Sequence, residues 1–195
     1  EMKDALRVVL ADAKSPEQVG AYSIACGIVK DLGAKDVLLA NLDKIREIEA
    51  RGYTAVALGM MNERSAIQPI QDIVKKSKYQ PELLKSAAIG LGLLGDKQLV
   101  PDLIDMLANA QGLSAQAAIS SALGFIGDAR SIDPLIAMLE DSQKTDLARG
   151  FAAVALGIVA DKEDLPWNSK VSVNINYRAN TTTLTDQKGG ILDIL

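Results

Sequence analysis

Residues 50–61 read Ala-Arg-Gly-Tyr-Thr-Ala-Val-Ala-Leu-Gly-Met-Met, and residues 148–159 read Ala-Arg-Gly-Phe-Ala-Ala-Val-Ala-Leu-Gly-Ile-Val. Both stretches are rich in small and aliphatic residues, as in closely packed helices. A sequence repeated this closely within one chain indicates an internal repeat. Such a repeat determines the architecture before any single residue does.

One glycine of this stretch recurs throughout the chain. The equivalent glycines, here called the pivot glycines, follow at spacings of 32, 33, 32 and 33 residues: Gly27, Gly59, Gly92, Gly124 and Gly157. A proline comes nine or ten residues after four of them: Pro69, Pro101, Pro134 and Pro166. Because proline is tolerated in the first turn of a helix, the first three prolines predict where the next helix begins. Each repeat is therefore predicted to contain a helix A, a short turn, a helix B and a second short turn.

The end of helix B carries a second signature. In residues 89–96 and 121–128 the pivot glycine is followed by two apolar residues, a glycine and an aspartate, and residues 100–107 then form a proline-containing helix pattern. This combination resembles the short HEAT-like repeats named after phycobilisome lyases, over roughly residues 1–165. The ankyrin signature requires histidine, which the chain lacks, and the tryptophan and tyrosine positions of the tetratricopeptide pattern are missing. The resemblance implies an all-α protein, an α-solenoid (α-α superhelix) of about five helix pairs whose stacked units share one core.

Composition limits the classes of function. Without histidine, the chain has no Ser-His-Asp or Cys-His mechanism and no histidine-ligated metal site. Its single cysteine, Cys26, cannot form an internal disulfide, and it stands where later repeats have leucine, which predicts a buried apolar role. The net charge of −4 argues against a nucleic-acid surface, and no apolar run reaches the length of a membrane span. We therefore expect no cofactor, no nucleic acid and a role that is not enzymatic.

The repeat pattern stops before residue 166. Residues 171–177 alternate apolar and polar side chains with the period of a strand, and Gly189-Gly190 breaks the remaining sequence. We expect residues 166–195 to be an extended, non-helical C-terminal tail, docked on the solenoid of residues 1–165 through its apolar residues.

Helix B offers the candidate binding surface. Residues one after, three before and seven before each pivot glycine lie four apart, and therefore on one face. PBS-type repeats often carry charge in these rows, whereas here, apart from Lys85 and Ser121, they hold apolar residues and, in the last row, three glycines: Gly20, Gly52 and Gly150. We expect a concave apolar groove with a low glycine floor, which means that the glycines would let an extended chain lie close to the helix backbones. The alternative is that the register differs by one residue and these rows face the neighbouring repeats.

Two arginines at matching positions of helix B complete the candidate site. Arginine can clamp a carboxylate or a phosphate through two hydrogen bonds, although surface arginines more often pair with nearby acidic residues. The predicted concave-face residues are Arg51, Val56, Met60, Ile89, Leu93, Phe125, Arg149, Val154 and Ile158.

A non-enzymatic scaffold that binds a protein or peptide segment on this face is the predicted function, and the chain's own C-terminal tail is one candidate segment. Two alternatives stay open. One is a chromophore lyase or chromophore chaperone, as the name of the repeats implies, and the other is a regulatory or structural segment of a larger protein. The compartment stays open as well, with the cytoplasm favoured.

Overall fold

A computed structural model describes residues 1–77 and 79–162 of the chain. The described residues contain ten α-helices: α1 (Met2–Ala11), α2 (Pro16–Ile28), α3 (Lys35–Lys44), α4 (Ile48–Met60), α5 (Ile67–Lys76), α6 (Pro81–Leu94), α7 (Val100–Ala108), α8 (Leu113–Ile126), α9 (Ile132–Glu140) and α10 (Asp146–Lys162). Odd-numbered helices are the A helices and even-numbered helices are the B helices of units 1 to 5. The predicted all-α solenoid of five helix pairs is confirmed. The predicted tail, residues 166–195, lies outside the described residues.

Local sequence sets the helix starts. Ser15 caps α2 by accepting a hydrogen bond from the amide of Gln18 at 3.3 Å, and the Gln18 side chain accepts one from the Ser15 amide at 3.3 Å. This reciprocal pair is a capping box, with Pro16 in the first turn. The three prolines that were predicted to mark the starts of A helices lie in the first turns of α5, α7 and α9: Pro69, Pro101 and Pro134.

Carboxylates close the turns between units. Asp31, Glu63 and Asp128 each accept a hydrogen bond from the amide two residues ahead, at 3.2, 3.1 and 2.9 Å, and so cap a short 3-10 turn before the next A helix. The third unit differs, because the buried Asp96 accepts a hydrogen bond from the Gln71 side chain at 2.8 Å. These four carboxylates therefore stabilise the turns between units.

Successive B helices pack through their pivot glycines. A Cβ atom placed on Gly92 would lie 2.2 Å from the backbone oxygen of Phe125 in the next B helix, and one on Gly59 would lie 2.7 Å from the backbone oxygen of Gly90. One residue before the first four pivot glycines, Cys26 and its leucine counterparts Leu58, Leu91 and Leu123 are completely buried. In units 1 to 4 the pivot glycine thus removes a side chain where two helix backbones meet, while its neighbour fills the core.

The A and B layers differ in spacing. B helices pack along one another from unit to unit, whereas successive A helices hardly touch. Open clefts of about 450 Å³ between α3 and α5 and about 280 Å³ between α7 and α9 separate the A helices. Close packing on one side and separation on the other curve the array, so the B helices line its inner side.

We predict opposite effects for alanine at two pivot glycines. Gly92→Ala should destabilise the protein, because the overpacking cost of about 1–3 kcal/mol exceeds the gain in helix propensity of about 0.5–1 kcal/mol. Gly157 belongs to the last described unit, and no described atom lies within 4 Å of its Cβ position. Gly157→Ala should therefore stabilise the protein by about 0.5–1 kcal/mol. Urea unfolding of the two variants measures both changes, and equal effects would contradict this account of the packing.

Two bidentate ion pairs predict how stability depends on pH. The Arg7 guanidinium donates to Asp31 at 2.8 and 2.9 Å, and that of Arg130 donates to Asp128 at the same two distances. These hydrogen bonds are the main reason why the pKa of both aspartates is lowered. A carboxylate with a lowered pKa stabilises the folded state above its unfolded pKa of about 3.9, and that contribution is lost as the pH falls through the folded pKa.

We expect the double variant D31N/D128N to be less stable than the natural chain at pH 7 and to lose less stability on acidification. Urea unfolding between about pH 5 and pH 2 measures this slope. A variant with an unchanged slope would show that other carboxylates determine acid unfolding.

Candidate functional site

The inner surface of the B helices carries a strip of side chains that is apolar except at Ser121. We define the B-face strip as the two rows three before and one after the pivot glycines: Ile24, Ile28, Val56, Met60, Ile89, Leu93, Ser121, Phe125, Val154 and Ile158. Ile28 is 63% exposed and Leu93 is 47% exposed, and the other members are half-buried. None is fully buried, so every unit contributes side-chain surface to this strip.

The predicted glycine floor is wrong at two of its three positions. Gly20 and Gly52 are buried, and both face the next B helix. A Cβ on Gly20 would lie 2.8 Å from Cδ2 of Tyr53, and one on Gly52 would lie 2.8 Å from Cβ of Ser86. This row follows the alternative interpretation, because its missing side chains make room for the neighbouring repeat. Gly150, in the last described unit, is exposed.

The structure does not bring the two arginines together with the B-face strip. The Nε atom of Arg51 donates to the carbonyl oxygen of Leu42 at 2.8 Å, and that of Arg149 donates to the carbonyl oxygen of Leu139 at 2.8 Å. Both carbonyls belong to the last turn of the preceding A helix. The matching residue of unit 4, Gln116, donates to the carbonyl oxygen of Ala110 at 2.9 Å. In units 2 and 5 this position of helix B therefore caps the carboxyl end of its own helix A, and in unit 4 it binds the turn that follows helix A.

Arg51 also lines the cleft between α3 and α5, together with Asp43, Asp72 and Lys76. The cleft between α7 and α9 is the same cleft two repeats later, because its lining residues occupy the matching positions. There Gln116 replaces the arginine, and alanine replaces both aspartates. Since the cleft recurs with different polar side chains, the spacing of the A helices explains it without a shared ligand.

A cavity of about 500 Å³ opens on the inner side, between α2 and α4. Its floor contains small and aliphatic side chains, among them Ala21, Ile24 and Ala50, and the Tyr53 ring lines one side. Glu17, Glu47 and Glu49 complete the lining. Tyr53 is 48% exposed, which leaves its ring open to a bound molecule.

The sequence contains a pattern that predicts the acidic side of this cavity, although the predicted concave-face residues do not include it. The residue ten before the pivot glycine is Glu17, Glu49 and Glu82 in units 1 to 3, and Ser114 and Leu147 in units 4 and 5. All five are exposed in the first turns of the B helices. The inner face is thus edged by carboxylates in its first three units and uncharged along the same row afterwards.

A comparison with protein families bears on the repeat itself. A family model described as the PBS lyase HEAT-like repeat matches residues 115–141, which comprise most of α8, the turn after it and α9. The expected resemblance is confirmed over these residues. The matched HEAT-like segment includes Phe125 of the B-face strip and the Gly124 contact with the next unit. No curated protein matches the chain.

Residues 1–77 and 79–162 lack two further kinds of feature, a membrane-spanning helix and a metal-binding cluster. No helix among these residues is long and apolar enough to cross a membrane. Within the same residues, no group of three or more acidic or cysteine side chains is placed to hold a metal ion.

The capping role of Arg51 leads to a prediction about stability. Arg51→Leu, which places there the residue that unit 3 has at position 84, removes the donor to Leu42 and should cost about 1 kcal/mol. Arg51→Gln should retain most of the stability, because the amide nitrogen of glutamine is as many bonds from the backbone as Nε of arginine and can donate to Leu42 in its place, as Gln116 donates to the turn after α7. Thermal or urea unfolding compares the two variants. If both variants were as stable as the natural chain, the hydrogen bond to Leu42 would contribute nothing.

Proposed function

We propose that this protein is a non-enzymatic scaffold that holds an extended protein segment on the B-face strip. The observation that carries the proposal is the exposure of aliphatic side chains along the inner side of the array, led by Ile28 and Leu93. Apolar side chains exposed on one face of a repeat array are consistent with an interaction surface. The HEAT-like repeat at residues 115–141 supports a scaffold role, since stacked repeats present an extended concave surface.

The dimensions of the strip favour an extended segment. Packed helices lie about 8–10 Å apart, and a strand rises about 3.3 Å per residue. A segment that crosses the B helices therefore advances about three residues per unit. Its apolar side chains would contact the strip, while the opposite side stays in water.

Residues 168–178 of the chain itself provide a probe with this pattern. Their sequence, Asn-Ser-Lys-Val-Ser-Val-Asn-Ile-Asn-Tyr-Arg, alternates apolar and polar residues. We use it as a synthetic peptide labelled with fluorescein. The receptor is the full-length chain with Val171, Val173 and Ile175 replaced by serine, so that its own copy of this segment does not compete.

We expect fluorescence anisotropy to show saturable binding of the peptide to this receptor. Leu93→Glu in the receptor should weaken binding about tenfold or more, because the carboxylate would be buried against an apolar segment. Val8→Glu is the matched control, since Val8 is 59% exposed on α1, an A helix outside the strip. Circular dichroism checks that both variants remain folded.

Two results would contradict the proposal. One is a receptor that shows no saturable binding of the peptide. The other is an equal loss of binding in Leu93→Glu and Val8→Glu, because the peptide would then not depend on the B-face strip.

A further inference from the structure

We infer that the cavity between α2 and α4 receives a lysine or arginine side chain of the segment bound on the B-face strip. This inference rests on the proposed function and adds the chemistry of the partner. The cavity adjoins the strip, because Ile24 belongs to both. A segment that follows the strip toward unit 1 therefore reaches the mouth of the cavity.

The cavity suits the methylene groups of a long basic side chain. With about 500 Å³ of space, an apolar floor formed by Ala21, Ile24 and Ala50 can cover the aliphatic stem of lysine or arginine. The Tyr53 ring, held against Gly20, adds an aromatic surface on which a cation is attracted by the ring electrons.

The charge of the lining selects a cation. Three of the described residues that line the cavity are glutamates, and no lysine or arginine lines it. A hydrogen bond from Ser15 is the main reason why the pKa of Glu17 is lowered, which favours its charged form. None of the three glutamates forms an ion pair with another described residue. Their charge is therefore available to a partner.

An anionic ligand fits this position poorly, although two helices begin here. The Glu47 side chain already accepts hydrogen bonds from the first amides of α4, those of Glu49 and Ala50, at 3.2 and 2.8 Å. At the start of α2, Ser15 accepts from the amide of Gln18. The helix-start amides that would attract an anion are thus partly occupied by the protein's own oxygens.

The test varies the charge of the peptide and of the cavity together. The peptide of residues 168–178 contains Lys170 and Arg178, so we compare it with its K170Q/R178Q and K170E/R178E versions on the serine-substituted receptor described above. We expect binding to weaken about fivefold for the neutral peptide and about tenfold or more for the acidic one. This preference should shrink when salt is raised from about 0.02 M to about 0.15 M, because exposed charges are screened.

The cavity is tested by E17Q/E49Q, which removes two carboxylates and keeps the side-chain shape. The preference for the basic peptide should disappear in this variant. E82Q is the matched control, because Glu82 occupies the position of Glu49 one unit later and does not line the cavity. It should retain the preference.

The outcomes separate this inference from the proposed function. If all three peptides bind equally and Leu93→Glu still weakens binding, the strip binds a segment but the cavity does not select a basic residue. If E17Q/E49Q keeps the preference, or if E82Q loses it, the attraction lies elsewhere on the inner face and the inference is overturned. A receptor that binds none of the peptides overturns the proposed function and this inference with it.

Discussion

The contact between a pivot glycine and the backbone of the next B helix is the constraint on which the rest of the structure depends. At Gly92 a single Cβ atom would come within 2.2 Å of a backbone oxygen of the next unit. Because this contact draws the B helices together and no equivalent contact joins the A helices, the units are closer on one side than on the other. The curvature, the clefts between A helices and the inner position of the B helices follow from this difference.

The same packing determines what the inner surface can present. Small residues lie where successive B helices meet and leucines such as Leu58 and Leu91 fill the core, and so the strip residues are left at the solvent edge. In this chain those edge residues are mostly aliphatic, as at Ile28 and Leu93, and the first turns add carboxylates in units 1 to 3. The protein therefore combines an apolar strip with an acidic border along its first three units, and this combination is the basis for proposing a segment that is both aliphatic and basic.

Much of the fold could be predicted from the sequence because its signals are local or periodic. The Ser15 capping box, the first-turn prolines and the burial of Cys26 depend on the chain within one unit and on the repeat period. The candidate site was less predictable. Gly20 and Gly52 do not form an open surface, because the side chains of Tyr53 and Ser86 from the next B helix lie against them. Arg51 and Arg149 were separated from the strip by bonds to Leu42 and Leu139, nine and ten residues earlier in the chain.

The sequence by itself determined the class of the molecule: five helix pairs, their order, their approximate bounds and the apolar character of one face of helix B. It could do so because a repeated pattern of small, aliphatic and proline residues defines a unit that must stack to bury its apolar side. Only the tertiary structure decided which small residues serve the contact between units and which side chains remain at the surface. The physical reason is that such a glycine is required where the atoms opposite it leave no room for a Cβ atom. In this protein those atoms belong to the next repeat, about thirty residues further along the chain.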